Sequence, residues 1–136
     1  MKRQIKFRGY NLKNNKWLYG CYLVNRGKHY IVQDEEVNPF SEPEDFEVDP
    51  ESVGQYVCSV EDVDVYEGDI VKKYYVEGQL DGVIVGVVYF YREVLMWYIV
   101  DLKTRKPLAH LHYLSCLSKY EIIGHEYKEK LKKSNP

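Results

Sequence analysis

Apolar and polar positions alternate at the two-residue period of a β-strand in two regions of the chain, which a long acidic interval without periodicity separates. Ile5 to Tyr10 alternates apolar with basic side chains, Asn11 to Lys16 is polar and Asn-rich, and Trp17 to Val24 is again strand-like, which predicts a β-hairpin. Asn25-Arg26-Gly27-Lys28 reads as a second turn and His29 to Val32 as a third short strand. Residues 1–32 are therefore expected to form an N-terminal β-meander.

Gln33 to Ser52 differs in kind. It holds three prolines and nine acidic residues, so an exposed connection with local turns is expected over 33–54. Phe40 and Phe46 are its apolar exceptions, expected to pin it to the core. Asp49 to Ser52 suits a short turn ahead of a strand-like run, Val53 to Cys58.

The sharpest boundary is Val65-Tyr66-Glu67-Gly68-Asp69-Ile70-Val71, where acidic turn-formers give way to β-rich sequence. Tyr66 to Asp69 reads as a tight turn, with Gly68 free to take a positive φ and the carboxylates of Glu67 and Asp69 available to its backbone groups. Strands are then predicted over Asp69–Val76, Gly82–Tyr91 and Leu95–Asp101, with turns at Glu77 to Asp81 and at Arg92-Glu93. The second of these is apolar on both faces: Val83, Val85, Val87 and Tyr89 on one, Ile84, Val88 and Phe90 on the other. Such a strand is central, or covered by another lobe or subunit. Met96, Tyr98 and Val100 likewise oppose Leu95, Trp97 and Ile99, and a turn follows at Lys103 to Pro107. Leu108 to Leu117 fits a short helix or a strand, Tyr120 to Gly124 a closing strand, and Glu126 to Lys133 a terminal helix. The expected fold is mainly β: an SH3-like or irregular β-barrel with an N-terminal β-meander and a short C-terminal helix. One domain spans 1–136, with the barrel core at 55–127 and the helix and tail at 128–136.

Composition supports this class. The 136 residues are 45% apolar and 29% charged, as in globular chains, and 14 tyrosines favour strands. Met1 to Arg8 is too charged for a secretory leader and no window is long and apolar enough to span a bilayer, so a cytoplasmic protein without a membrane partner is expected. Cys21, Cys58 and Cys116 are odd in number and widely spaced, which suits reduced thiols.

Charge is segregated along the chain. Met1 to Lys28 carries eight Lys or Arg and no acid, His29 to Val71 carries 14 acids and no Lys or Arg, and the net charge is −2. The segregation suits either a basic surface for nucleic acid or a basic segment lying against the acidic middle, within one chain or between two copies. The overall acidic balance favours the second.

Ile5-Lys6-Phe7-Arg8-Gly9 followed by Trp17-Leu18-Tyr19-Gly20, then Val48 to Tyr56, Val65 to Val71, Gly86-Val87-Val88 and Tyr120 to Gly124, resemble in order the motifs of the YopX family, small proteins encoded by phages and prophages of bacteria. The chain departs from that pattern after Gln55-Tyr56, where the family has Thr-Gly-Leu, at His125, where it has Asn, and at Lys128-Glu129-Lys130-Leu131, where it has Asn-Pro-Glu-Leu. The resemblance implies a phage-associated protein and brings no catalytic residue or cofactor with it.

Chemical motifs are weak. His110, His112 and Cys116 fall on one face of an extended strand and would supply three zinc ligands, the basis for a metal-dependent enzyme as the remotest reading. Glu67 and Asp69 straddle a turn that already accounts for them, and the three cysteines sit in apolar contexts that suit inert thiols. No catalytic, cofactor-binding or metal-ligating residue is therefore assigned. The candidate binding surface is Tyr66, Glu67, Asp69, Lys72, Lys73, Tyr74, Tyr91 and Arg92, with Tyr75 and Tyr89 beside it. It points to a non-enzymatic binding or assembly module whose partner is a further copy of itself or a phage or host macromolecule. Nucleic acid, stacked on tyrosines and held by lysines, is the main rival.

Overall fold

The computed structural model describes residues 5–33, 41–60, 62–77, 80–93, 95–110 and 119–134. Those residues are mainly β, with eleven strands in two sheets and one helix near the C-terminus. The chain divides into two compact units, Met1–Tyr56 and Val57–Pro136.

The first unit contains β1 (Phe7–Asn11), β2 (Lys16–Asn25), β3 (Lys28–Val32) and β4 (Glu47–Val48), side by side in the order β4-β3-β2-β1. The predicted meander is present. Between β2 and β3, Arg26 and Gly27 have φ of 53° and 77°, the left-handed pair whose twist matches a two-residue hairpin. The core is Leu18, Ile31 and Val48, with Phe7, Tyr22 and Val53 packed against it.

The acidic interval is more than a connection. Two 3₁₀ turns, Pro43–Asp45 and Pro50–Ser52, flank β4, whose Val48 pairs with His29 and is 3% exposed. Asn11, fully buried, donates from Nδ2 to the carbonyls of Glu44, Asp45 and Glu47 at 3.1, 3.2 and 2.8 Å. That amide supplies the donors that a neighbouring strand would otherwise provide. Phe46 is half-buried and its carbonyl accepts from the Ile31 amide at 3.0 Å, whereas Phe40 lies outside the described residues.

β5 (Gly54–Val60) runs from one unit into the other. Its Gly54 and Gln55 pair with β1 and its Tyr56 amide donates to the Lys6 carbonyl at 2.8 Å in the first, and it neighbours β6 (Val63–Tyr66) of the second in the sheet order. β7 (Asp69–Glu77), β8 (Leu80–Tyr91), β9 (Met96–Val100), β10 (Pro107–His110) and β11 (Lys119–His125) form a five-stranded sheet ordered β10-β9-β8-β7-β11, followed by α1 (Glu126–Ser134). The two-faced apolar strand β8 is indeed central. The expected barrel is not closed among the described residues, because β10 and β11 stand at opposite edges of the sheet. Leu95, expected in a strand, lies in the turn after β8 with φ 55°, and the first part of the ambiguous leucine stretch is strand β10. Residues 111–117 of that stretch lie outside the described residues.

The core of the second unit is Val65, Val71, Val88 and Ile99, joined by Val57, Cys58, Ile84, Trp97 and Ile122. The β5–β6 hairpin thus covers one face of the sheet, here called inner. The outer face carries Ile70, Lys72, Tyr74, Val83, Val85, Val87 and Tyr89, as the register Ile70↔Val87, Lys72↔Val85 and Tyr74↔Val83 requires. Gly86 permits the inner packing: a Cβ there would lie 2.4 Å from the Val100 carbonyl oxygen.

Candidate functional site

The Tyr66–Asp69 turn is built as expected, and its construction removes part of it from the candidate surface. Gly68 takes φ 92°, its amide donates to the Val88 carbonyl at 2.9 Å, and its carbonyl accepts from the Glu126 amide at 2.8 Å. Asp69 is 1% exposed: Oδ2 accepts from the Tyr66 amide at 2.8 Å, and Oδ1 lies 2.9 Å from Nδ1 of His125, its register partner on β11. Tyr66 is 3% exposed and Glu67 half-buried. Tyr66 and Asp69 are therefore interior parts of a turn, and only the fringe of the motif meets solvent.

The lysine–tyrosine run divides between faces. Lys72 and Tyr74 stand on the outer face opposite Val85 and Val83, and Lys72 Nζ lies 5.2 Å from the Tyr74 ring centroid. Lys73 pairs with Ile84 on the inner face and is 8% exposed. It does not belong to the surface. Tyr91 is half-buried, edge-on to Tyr98 at 5.7 Å, and Arg92 is exposed in the following turn. Eight residues of β8 separate Val83 from Tyr91, roughly 26 Å at about 3.3 Å per residue. The candidate residues thus form two groups at opposite ends of one strand.

What joins those ends is apolar, and the candidate surface omitted it. Val83, Val85 and Tyr89 on β8 and Ile123 on β11 are 54%, 38%, 46% and 48% exposed. Beside Val85 lies a groove of about 480 Å³, floored by Ile70, Val85, Leu102 and Ile123. Lys103, Arg105 and Lys130 rim it together with Glu126 and Glu129, and Arg105 is ion-paired to Glu126. The Asp101 carboxylate accepts from the Thr104 and Lys103 amides, which hold it below the usual carboxylate range and fix the rim turn. The alternation of valines in β8 signals such a face; which face the hairpin covers is a tertiary fact.

The charge segregation has an internal counterpart in the first unit. Lys13 Nζ reaches Asp45 Oδ1 at 2.9 Å, and Lys28 lies 3.6 Å from Glu47. The hydrogen bond from Lys13 lowers the Asp45 carboxyl and raises the Lys13 amine from their ordinary values. Part of the basic segment lies against the acidic middle within one chain.

Other candidates dissolve or fall outside. Cys21 is exposed instead of sitting in an apolar setting, Cys58 packs at the edge of the core, and Cys116 lies outside the described residues. His112 is likewise outside, and His110 is described in its backbone alone, so the zinc constellation is not described. Among the described residues no three His, Cys, Asp or Glu side chains converge as metal ligands, and no helix is long and apolar enough to cross a membrane. Comparison with family models, curated proteins and solved structures finds no match to this chain.

Proposed function

We propose that this chain is a phage-associated protein of the YopX type that acts as a non-enzymatic binding or assembly module, and that its outer sheet face is the recognition surface. The observation that carries this reading is the exposed apolar row Val83, Val85 and Tyr89 along the central strand, beside Tyr74. Contiguous apolar surface of that kind marks contact sites. The family assignment rests on the order of motifs along the sequence. A remote SH3-like relationship of the second unit belongs to the same proposal, supported by the Gly68-Asp69 turn entering β7.

The test is an apolar fluorescent dye titrated into dilute protein, comparing the wild type with the double variant Val83→Asp, Tyr89→Asp. Dye binding by the wild type and its loss in a variant with an unchanged melting temperature is the expected result. Equal binding by the two proteins, or a collapse of the variant fold, overturns the reading.

One observation favours nucleic acid as the second reading: Lys72 over the exposed Tyr74 ring combines a cation with a stacking surface. Labelled single-stranded DNA and RNA decide between the two. Salt-sensitive binding that Lys72→Glu abolishes would replace the first reading with the second.

A further inference from the structure

Within the second unit, the groove beside Val85 sets an apolar floor against a charged rim. Ile70, Val85 and Ile123 of the floor come from β7, β8 and β11, and Leu102 from the turn after β9. Its volume of about 480 Å³ falls among small-molecule sites, which span roughly 300 to 1,000 Å³. Two elements supply the rim: Lys103 and Arg105 of that turn, and Glu126, Glu129 and Lys130 of α1.

The turn is held by its own hydrogen bonds. The Asp101 carboxylate accepts from the Lys103 and Thr104 amides at 2.9 and 2.8 Å, the Arg105 amide donates to the Asp101 carbonyl at 3.0 Å, and the Asp101 amide donates to the Lys106 carbonyl at 2.9 Å. Arg105 stands in it at φ 60°, a left-handed conformation that glycine or asparagine takes more readily. What arginine brings there is its guanidinium, ion-paired to Glu126 of α1. Backbone outliers of this kind cluster at ligand clamps.

Rim charge defines the ligand. Three cations stand with two carboxylates, one positive charge in excess. Arg105 is committed to Glu126, and Lys132 lies 3.5 Å from Glu129. Among the described residues no carboxylate is ion-paired to Lys103 or Lys130. A polyanion would bring its further charges against Glu126 and Glu129, and an uncharged apolar molecule would leave both lysines unanswered. A single carboxylate on an apolar body matches floor and rim together.

We propose that the groove binds a small amphipathic monoanion, its aliphatic body on the apolar floor and its carboxylate head held by Lys103 and Lys130. The groove shares Val85 with the outer sheet face but does not rest on reading that face as a recognition surface.

Calorimetric titration of the full chain with octanoate tests this, with octanol and acetate as probes that lack the charge and the body. Octanoate is expected to saturate one site per chain, with octanol and acetate about tenfold weaker or worse. The double variant Lys103→Gln, Lys130→Gln should lose about tenfold in affinity for octanoate and nothing for octanol, at an unchanged melting temperature. Leu102→Asp, which sets a carboxylate on the floor, should abolish octanoate binding. Tyr89→Asp, on the outer face but outside the groove, should bind octanoate as the wild type does. Absence of saturable octanoate binding overturns the proposal and leaves the recognition surface to the apolar-dye comparison. Equal affinity for octanoate and octanol, or an octanoate affinity indifferent to the lysine substitutions, reduces the groove to unspecific apolar contact and overturns it too. Binding lost in Tyr89→Asp but kept in the lysine variant moves the ligand to the apolar row, which overturns the groove and leaves the recognition surface standing.

Discussion

Val85 and Val88 stand three positions apart in one strand and have opposite fates: the first is 38% exposed, the second fully buried. The same contrast separates Lys72 from Lys73, neighbours in sequence that point to opposite sides of the sheet. Each face of β8 is apolar enough to be a core. The inner face became one because the β5–β6 hairpin brings Val57, Cys58 and Val65 against it. The outer face is covered only in part: Ile70, Val87 and Val100 on it are buried, while Val83, Val85 and Tyr89 remain exposed. Apolar patterning says that a surface seeks a cover; chain connectivity decides whether the same chain supplies it.

That contrast can be broken most forcefully in the inner core. Ile99→Ala is expected to cost about 3 kcal/mol in denaturant unfolding, against less than about 0.5 kcal/mol for Val85→Ala in dilute protein. Equal losses would mean that the two faces are packed alike. Gly86→Ala comes next, at about 2 to 3 kcal/mol, because the new Cβ meets the Val100 carbonyl oxygen and Ile99 Cγ2 at 2.4 and 2.6 Å. Thermal melting reads it, and an unshifted transition would show that β8 and β9 are farther apart than described.

Lys73→Glu should destabilise by about 2 kcal/mol, since it sets a short carboxylate among apolar neighbours, whereas Lys72→Glu should change stability little. Urea midpoints for the two variants that coincide would place both lysines on one face. Gly68→Val tests the turn that leads from the hairpin into the sheet. A loss of about 1 to 2 kcal/mol is expected from the positive φ, and an unchanged melting temperature would reject the left-handed turn. The smallest effect has the opposite sign. Leu95, 75% exposed at φ 55°, belongs to neither face, and Leu95→Asn should gain about 0.5 kcal/mol by easing the left-handed conformation. A loss on calorimetry would show that Leu95 packs on a surface after all.

Much of the fold was legible in the residues. Ile5 to Val32 and Asp69 to Val100 read as strands because side-chain alternation is a local property of the backbone. The strands that went unread, β4 and β6, are short and sit among acids. Val48 and Val65 are buried in them, yet the alternation in Phe46-Glu47-Val48 and Val63-Asp64-Val65 is too short to stand out from the acidic sequence around it. Barrel closure was beyond reach for a different reason, since it depends on which edges meet. The candidate surface was partly recoverable: the two-residue period alone separates Lys73 from Lys72 and Tyr74. The burial of Tyr66 and Asp69 was not, because it arises from partners far along the chain, among them Val88, His125 and Glu126.

The peptide groups of Gly68 illustrate that distance. The amide is held by Val88 and the carbonyl by Glu126, while Asp69 pairs with His125 in the strand register. During synthesis the Val88 bond can form once β8 has left the ribosome, whereas the contacts to His125 and Glu126 must wait for β11 and the start of α1. The hairpin of β7 and β8 is therefore expected early, and the edge at β11 with the start of α1 last, giving a nascent second unit an unpaired strand edge that chaperones or a neighbouring nascent chain can meet first.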